Sequence, residues 1–443
     1  MTDLLIYSET IGPRLQYVCK LLFSAFPQIQ ITDDLSQLSN AVRPTIQYGG
    51  SEKISPNYLW IPASGLLDEL NIKQIDPELS WDGDLPLLFP SAGHDLAGDL
   101  FSSVFYWASR YEEYLPFDAD IHGRFAGKLS HAHKHKYLDL PVIDAWRQRL
   151  FVRFNIWSAD NIQYCPEIQW TFDIDQWSAF KGRSLLRTIG GSTRDLLQGR
   201  LEAVSDRIKV LFGGKSDPYQ NLEYLQSIAN NTGNAAKIFL HLGQYAEFDK
   251  NTVIDPSEFA EFTSNLDAEK QLGIHPSYAS NSSKDRLQKE LSKFEALTGN
   301  IASRSRQHYL KLEFPGTYRG LMHSGISEDW TMGYADLLGF RAGTGNPFHW
   351  FDLERNEETG FVVHPFAALD VTLKVYLQYT PAEAIAAVKR LLDISAKFHF
   401  PLVLIWHNSS FYGPYGWEGW QQLPNEINKY CAEVRAENNC VNS

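Results

Sequence analysis

Ile168-Gln169-Trp170-Thr171-Phe172-Asp173-Ile174-Asp175-Gln176 is an apolar run that ends abruptly in two carboxylates. Short apolar runs bounded by polar residues are what a buried strand requires. Outward from it the same rhythm recurs. Strand-like runs fall at 237–242, 273–276, 307–311, 339–342, 361–365 and 402–406, with helical patterns at 219–229, 256–272, 283–298, 317–325 and 381–399. Alternating strands and helices imply a parallel sheet, and about seven repeats over roughly 270 residues suit a closed barrel better than a small open sheet. Residues 181–216 are long for one connection and read as a lid or an insertion.

The part before this rhythm has a different texture. Residues 4–7 read as a buried strand, 13–26 as a helix and 29–31 as a second strand, with further apolar runs at 58–61 and 86–90. Residues 99–113 form an aromatic-rich helical stretch, and 141–157 a second helix. Ser158, Asp160, Asn161 and Pro166 mark a boundary at 158–166. The expected organisation is therefore a smaller α/β domain over 1–160 and a distorted (β/α)7 barrel over 161–443.

Composition limits the function classes. Of 443 residues, 44% are hydrophobic and 21% charged, as in a folded protein. The net charge of −13 offers no basic surface for nucleic acid. Twelve Trp and 21 Tyr suit a sugar-binding cleft as well as a large aromatic core. Cys19, Cys165, Cys431 and Cys440 show no CxxC spacing, so neither a thiolate zinc site nor a disulfide framework is expected. Acids at Asp3 and Glu9 and the cation at Lys20 interrupt the first thirty residues, and no run of about 18 apolar residues occurs. A cytoplasmic protein without a membrane span is expected.

In a parallel barrel the C-terminal strand ends share one face, where active sites are built. The polar residues at these ends are Asp173 and Asp175, His275, Arg306 and His308, Arg341, His364, and His407 with Asn408. Carboxylates and neutral imidazoles are ligands for zinc and similar cations, which polarise a carbonyl and lower the pKa of bound water. Trp350, Trp406 and Tyr278 are candidates to stack on a sugar ring, and Asp370 to orient His407. His131, His133 and His135 alternate in a polar segment that reads as a solvated loop. Gly190-Gly191 and Gly213-Gly214 lack the context of a phosphate loop.

Thr171-Phe172-Asp173-Ile174-Asp175 resembles the Thr-Phe-Asp-Asp motif of the polysaccharide deacetylases of carbohydrate esterase family four, with Ile174 splitting the acidic pair. Leu404-Ile405-Trp406-His407 resembles the closing Leu-x-His motif of the same family, and Arg306 stands where an Arg pairs with the catalytic base. Gly339-Phe-Arg-Ala-Gly-Thr344 and Ser109-Arg-Tyr-Glu-Glu-Tyr-Leu-Pro116 are similar to a divergent bacterial branch with an N-terminal accessory domain. The resemblance implies a deacetylase-type barrel and a divalent metal, zinc first. Asp173 would be the general base, Asp175 and His275 ligands, His407 the general acid, and Arg306 the partner of Asp173. The family's second motif carries two histidines four residues apart, but position 279 is Ala. His308 is the preferred replacement ligand, ahead of His241 and Asp249. Arg341, Trp406, Tyr278 and Asp370 are assigned to substrate binding.

The activity so implied is hydrolysis of a C–N bond in an N-acetylated sugar or glycoconjugate. Two alternatives stay open. The missing second histidine suits a decayed scaffold that binds glycans or assists assembly. A glycosidase would need two carboxylates about 5–9 Å apart across a cleft, which neighbours in one loop rarely provide.

Overall fold

The computed structural model describes residues 4–38, 43–156, 164–264, 266–438 and 440. The boundary expected at 158–166 falls mostly on residues 157–163, outside the described residues. In the first part β1 (Leu4–Ser8), β2 (Ile29–Thr32), β3 (Thr45–Tyr48) and β4 (Leu59–Ile61) form a parallel sheet ordered β2-β1-β3-β4. The two central strands, β1 and β3, are buried along their whole length, which explains why Leu4-Leu-Ile-Tyr7 is continuous rather than alternating. A hairpin of β5 (Leu79–Asp82) and β6 (Leu85–Leu88) follows. The aromatic helix Leu100–Ala108 is buried on all sides and capped by Asp99, whose carboxylate accepts from the Ser102 N–H.

The second part is one nine-stranded sheet built from β7 (Ile168–Ile174), β8 (Lys237–Leu240), β9 (Leu272–Ile274), β10 (Arg304–Ser305), β11 (Glu328–Asp329), β12 (Phe348–Asp352), β13 (Glu357–Val363), β14 (Ala368–Leu369) and β15 (Leu402–His407). Its order is β12-β13-β11-β10-β9-β8-β7-β15-β14, and every pairing except β12 with β13 is parallel. Read cyclically, the parallel strands follow chain order around a curled sheet, with the seam between β13 and β14 unpaired among the described residues.

Two expected strands are absent. Residues 307–311 instead form a short 3-10 turn, His308–Leu310, in which Tyr309 (φ 60°) and Leu310 (φ 53°) take left-handed backbone. Residues 339–342 are not extended, because Gly339 (φ 122°) and Gly343 (φ 69°) turn the chain. The β12–β13 hairpin supplies the sheet edge there.

The two parts share one apolar core. Phe105 and Phe351 meet edge to face with centroids 5.0 Å apart. Tyr17 donates to the His349 carbonyl at 3.0 Å, and Arg14 to Asn356 at 2.7 Å. The buried Asp144 accepts from Thr344, Gly345 and Asn346. At the same seam lies a buried ion network. Glu113 accepts from Arg110 at 2.7 Å and from Arg341 at 2.9 and 2.5 Å, and Arg110 also donates to the Arg341 carbonyl.

Contrary to the cysteine spacing, Cys165 and Cys440 form a disulfide across 275 positions of sequence, with Cα atoms 5.7 Å apart. Cys19 and Cys431 are buried thiols. Among the described residues no helix is long and apolar enough to cross a membrane.

Candidate metal and catalytic site

The sheet's register assembles the site. Asp173 pairs with His407 across β7 and β15, and Ile174, Leu240, Ile274, Ser305, Asp329 and Val363 form one continuous rung across β7 to β13. One residue beyond that rung stand Asp175, His241, His275, Arg306, Trp330 and His364. Strands that end level with one another thus deliver their first loop residues to one mouth.

A cavity of about 290 Å³ opens there, and Asp173, Asp175, His275, His308 and His407 all line it. The ligating atoms of Asp175, His275 and His308 lie within 4.8 Å of one another. His275 Nε2 is 3.2 Å from Asp175 Oδ1, while His308 Nε2 and His407 Nε2 are each 3.6 Å from Asp175 Oδ2.

Each imidazole is held from behind. His275 Nδ1 donates to the Arg306 carbonyl at 2.6 Å, His308 Nδ1 faces Asp249 at 2.9 Å, and His407 Nδ1 faces Asp370 at 2.8 Å. In all three rings Nε2 is left toward Asp175. An acceptor behind Nδ1 is how a metal-binding histidine is oriented. Asp370 is itself fixed by the backbone N–H groups of Val371 and His407 and by Ser410.

Electrostatics follow the same plan. Burial alone would raise the Asp175 carboxyl, but the charges of His308 and His407 outweigh it and hold it well below the carboxylate range. Burial likewise opposes charge on His308 and His407. The carboxylates of Asp175 and Asp249 lift His308 to about 9, and those of Asp370 and Asp175 lift His407 to about 10. Arg306, fully buried, donates to Asp173 at 2.7 Å, to Thr171 Oγ1 at 2.8 Å and to the Trp330 carbonyl at 3.0 Å, over the ring of Phe239.

The donors fit a divalent cation. Asp175 Oδ1 is buried and accepts no hydrogen bond, although an imidazole nitrogen faces it. One carboxylate and two imidazoles are a zinc-type donor set that leaves a coordination position open. His241, Asp249 and His308 form a second compact group. Asp249, however, already accepts from His241, His308 and the Tyr278 N–H, so it stands behind the candidate ligands.

Other expected residues fall elsewhere. Arg341 is 3% exposed and bound to Glu113 and the Gly333 carbonyl at the seam, away from the cavity. Trp406 points into the core, edge to face with Trp170. Tyr278 borders the site indirectly, packed on Phe248 at 4.5 Å. Its wall includes residues the sequence did not single out for the site: Phe248, Lys250, Tyr309, Tyr376 and Arg124. Arg124 comes from the first part of the chain and donates to the Tyr309 carbonyl and the Tyr376 hydroxyl.

His364 also leaves the site. It stacks on Trp330 at 3.9 Å and pairs with Glu328 at 2.9 Å. Burial would raise Glu328, but His364 and Arg304 bring it down to about 2. A carboxyl depressed on folding adds stability above its unfolded value, and that stability is lost as pH falls through the folded value. Glu328→Gln is expected to flatten part of the drop in urea midpoint between about pH 5 and pH 2. An unchanged slope in that window counts against the pairing.

Residues 4–155 match the model of DUF7033, a family of unknown function. No curated protein matches the chain. Among solved structures, a "putative polysaccharide deacetylase" from Mycobacterium smegmatis is 16% identical at a TM-score of 0.39, covering 63% of this chain and 87% of that one. A 4-alpha-glucanotransferase from Thermococcus litoralis is 15% identical at 0.33, covering 62% of this chain and 38% of that one. Neither likeness bears on the chemistry, which rests on the side chains.

Proposed function

We propose that the chain is a metal-dependent hydrolase of amide bonds that removes acetyl groups from an N-acetylated sugar or glycoconjugate. The observation that carries this reading is the convergence of Asp175, His275 and His308, with Asp175 Oδ1 buried and unbonded, beside the separately held Asp173 and His407. In this reading Asp175, His275 and His308 hold a divalent cation, zinc first. Such a cation, when bound, polarises the acetyl carbonyl and lowers the pKa of a bound water.

The chain's own residues do the rest. Asp173, held by Arg306 through one oxygen, takes the proton of the attacking water at the other. His407, kept protonated by Asp370, gives its Nε2 proton to the departing nitrogen. The aromatic wall of Phe248, Tyr309 and Tyr376 offers faces to a sugar ring. The Cys165–Cys440 disulfide favours an oxidising compartment over the cytoplasm expected from the sequence.

Elemental analysis of the purified protein beside Asp175→Ala and His275→Ala tests the reading. Near-stoichiometric divalent metal in the parent, lost in both variants, is expected, with acetate release from N-acetylated sugars lost in parallel. A parent that takes up no metal even after addition would favour instead the glycan-binding scaffold that the missing histidine at 279 motivates.

A further inference from the structure

Residues 181–216, expected to be a lid or an insertion, hold a pair of helices, Leu185–Leu197 and Leu201–Leu211, whose apolar sides face solvent and which add no residue to the cavity wall. Leu186, Leu197 and Phe212 are 84%, 84% and 87% exposed, and Leu185, Leu201 and Ile208 more than half exposed. At 100° per residue, Leu185, Leu186, Ile189, Leu196 and Leu197 fall within about 120° of one another, a single stripe. Leu201, Ile208 and Phe212 form a matching stripe on the second helix.

The inward sides are polar where a globular helix is normally apolar. Asp195 is fully buried and accepts from Arg207 at 2.6 Å and from Tyr415 at 3.2 Å. Asp206 accepts from Tyr412 at 3.2 Å. Phe180, Ala203 and Val210 pack around these contacts. The hairpin is thus held by a mixed face, the Asp195, Asp206 and Arg207 contacts beside Ala203 and Val210, and displays an apolar one.

Charge identifies what the face meets. Residues 181–215 carry eight Lys and Arg against three Asp and Glu, in a chain whose net charge is −13. Arg187, Arg194 and Lys209 are exposed and have no carboxylate partner among the described residues. Arg183 and Arg187 also line a cavity of about 420 Å³ with Tyr245, Lys250 and Lys293. Lys250 lines the metal-site cavity as well, so the two openings adjoin.

We propose that this hairpin docks the protein on an anionic phospholipid surface, apolar stripes in the headgroup boundary and basic residues on the lipid phosphates. Interfacial helices combine apolar and cationic faces in this way without spanning the bilayer. Docking sets the mouth of the metal-site cavity at the membrane plane. The inference stands independently of the hydrolase reading.

Co-sedimentation of the full chain with vesicles tests it. Binding is expected to phosphatidylglycerol mixed into phosphatidylcholine, weakening with salt, and to be poor with phosphatidylcholine alone. Each basic residue near an anionic surface strengthens binding by roughly fivefold, so Arg187→Gln with Arg194→Gln lowers partitioning roughly 20- to 30-fold. Leu186→Ser, Leu197→Ser and Phe212→Ser together abolish it; these exposed positions leave the thermal melt unchanged. No sedimentation of the parent, or equal sedimentation of the triple variant, overturns the proposal. So does a concentration-dependent dimer, seen by light scattering without lipid and lost in the triple variant, which would make the stripe an interface between two copies.

Discussion

Asp173→Asn is expected to lower turnover of an N-acetylated substrate by ~10²- to 10⁴-fold while bound metal stays near the parent level. The substitution preserves shape, and the amide oxygen can still accept from Arg306, which donates to Asp173 at 2.7 Å. What is lost is the ability to take a proton. Metal retention is expected because Asp173, already bound to Arg306, is not one of the Asp175, His275 and His308 group whose ligating atoms lie within 4.8 Å of one another. Some stability falls too, since the buried Arg306 then faces a neutral group. Thermal melts separate that loss from the chemistry. Full activity in this variant would end the assignment of Asp173 as the base. Activity lost only together with metal would make it a ligand instead.

Glu113→Ala carries the largest expected effect on stability, about 3–5 kcal/mol. The Glu113, Arg110 and Arg341 side chains are all 2–4% exposed, and the two guanidiniums converge on one carboxylate. Removing that carboxylate leaves two cations buried, with Glu112 as the only other acid bound to Arg110 among the described residues. Lys20→Ala is the natural contrast. Lys20 also bridges the two parts, to Glu358 at 2.6 Å, but its side chain is 66% exposed, and such pairs contribute about 0–1 kcal/mol. Urea midpoints of the two variants should differ widely. Similar midpoints would mean that the network does not hold the seam.

β7 and β15 are legible because strands buried on both faces read as continuous apolar runs, and their terminal Asp173, Asp175 and His407 break those runs sharply. β10, β11 and β14 are only two residues long and leave no periodicity to detect. Arg341 looks like a strand-end residue for the same reason His275 does, a lone charge after apolar residues. Only its partner Glu113, more than two hundred positions away, identifies it as a seam residue. Arg124 was hidden by the converse problem, since its role depends on Tyr309 and Tyr376 lying across the seam. His308 was recoverable as a residue of the cavity although the strand predicted around it is a tight turn, because a strand end and a turn place its ring at the same mouth. The disulfide had no local signature at all.

That disulfide has a topological consequence. By joining Cys165 to Cys440 it makes the chain between them a covalent circle. Every strand from β7 to β15, the candidate ligands Asp175, His275 and His308 and the solvent-facing hairpin belong to the circle, while β1 to β6 hang from it as a linear arm. In the chain-entropy account, closing a loop of this size removes about 5–6 kcal/mol of freedom from the unfolded state. A single cut in any loop of the circle leaves one molecule, still joined through sulfur. A cut in the arm separates a fragment, and a cut between Arg124 and Cys165 takes Arg124, the arm's contribution to the cavity wall, with it.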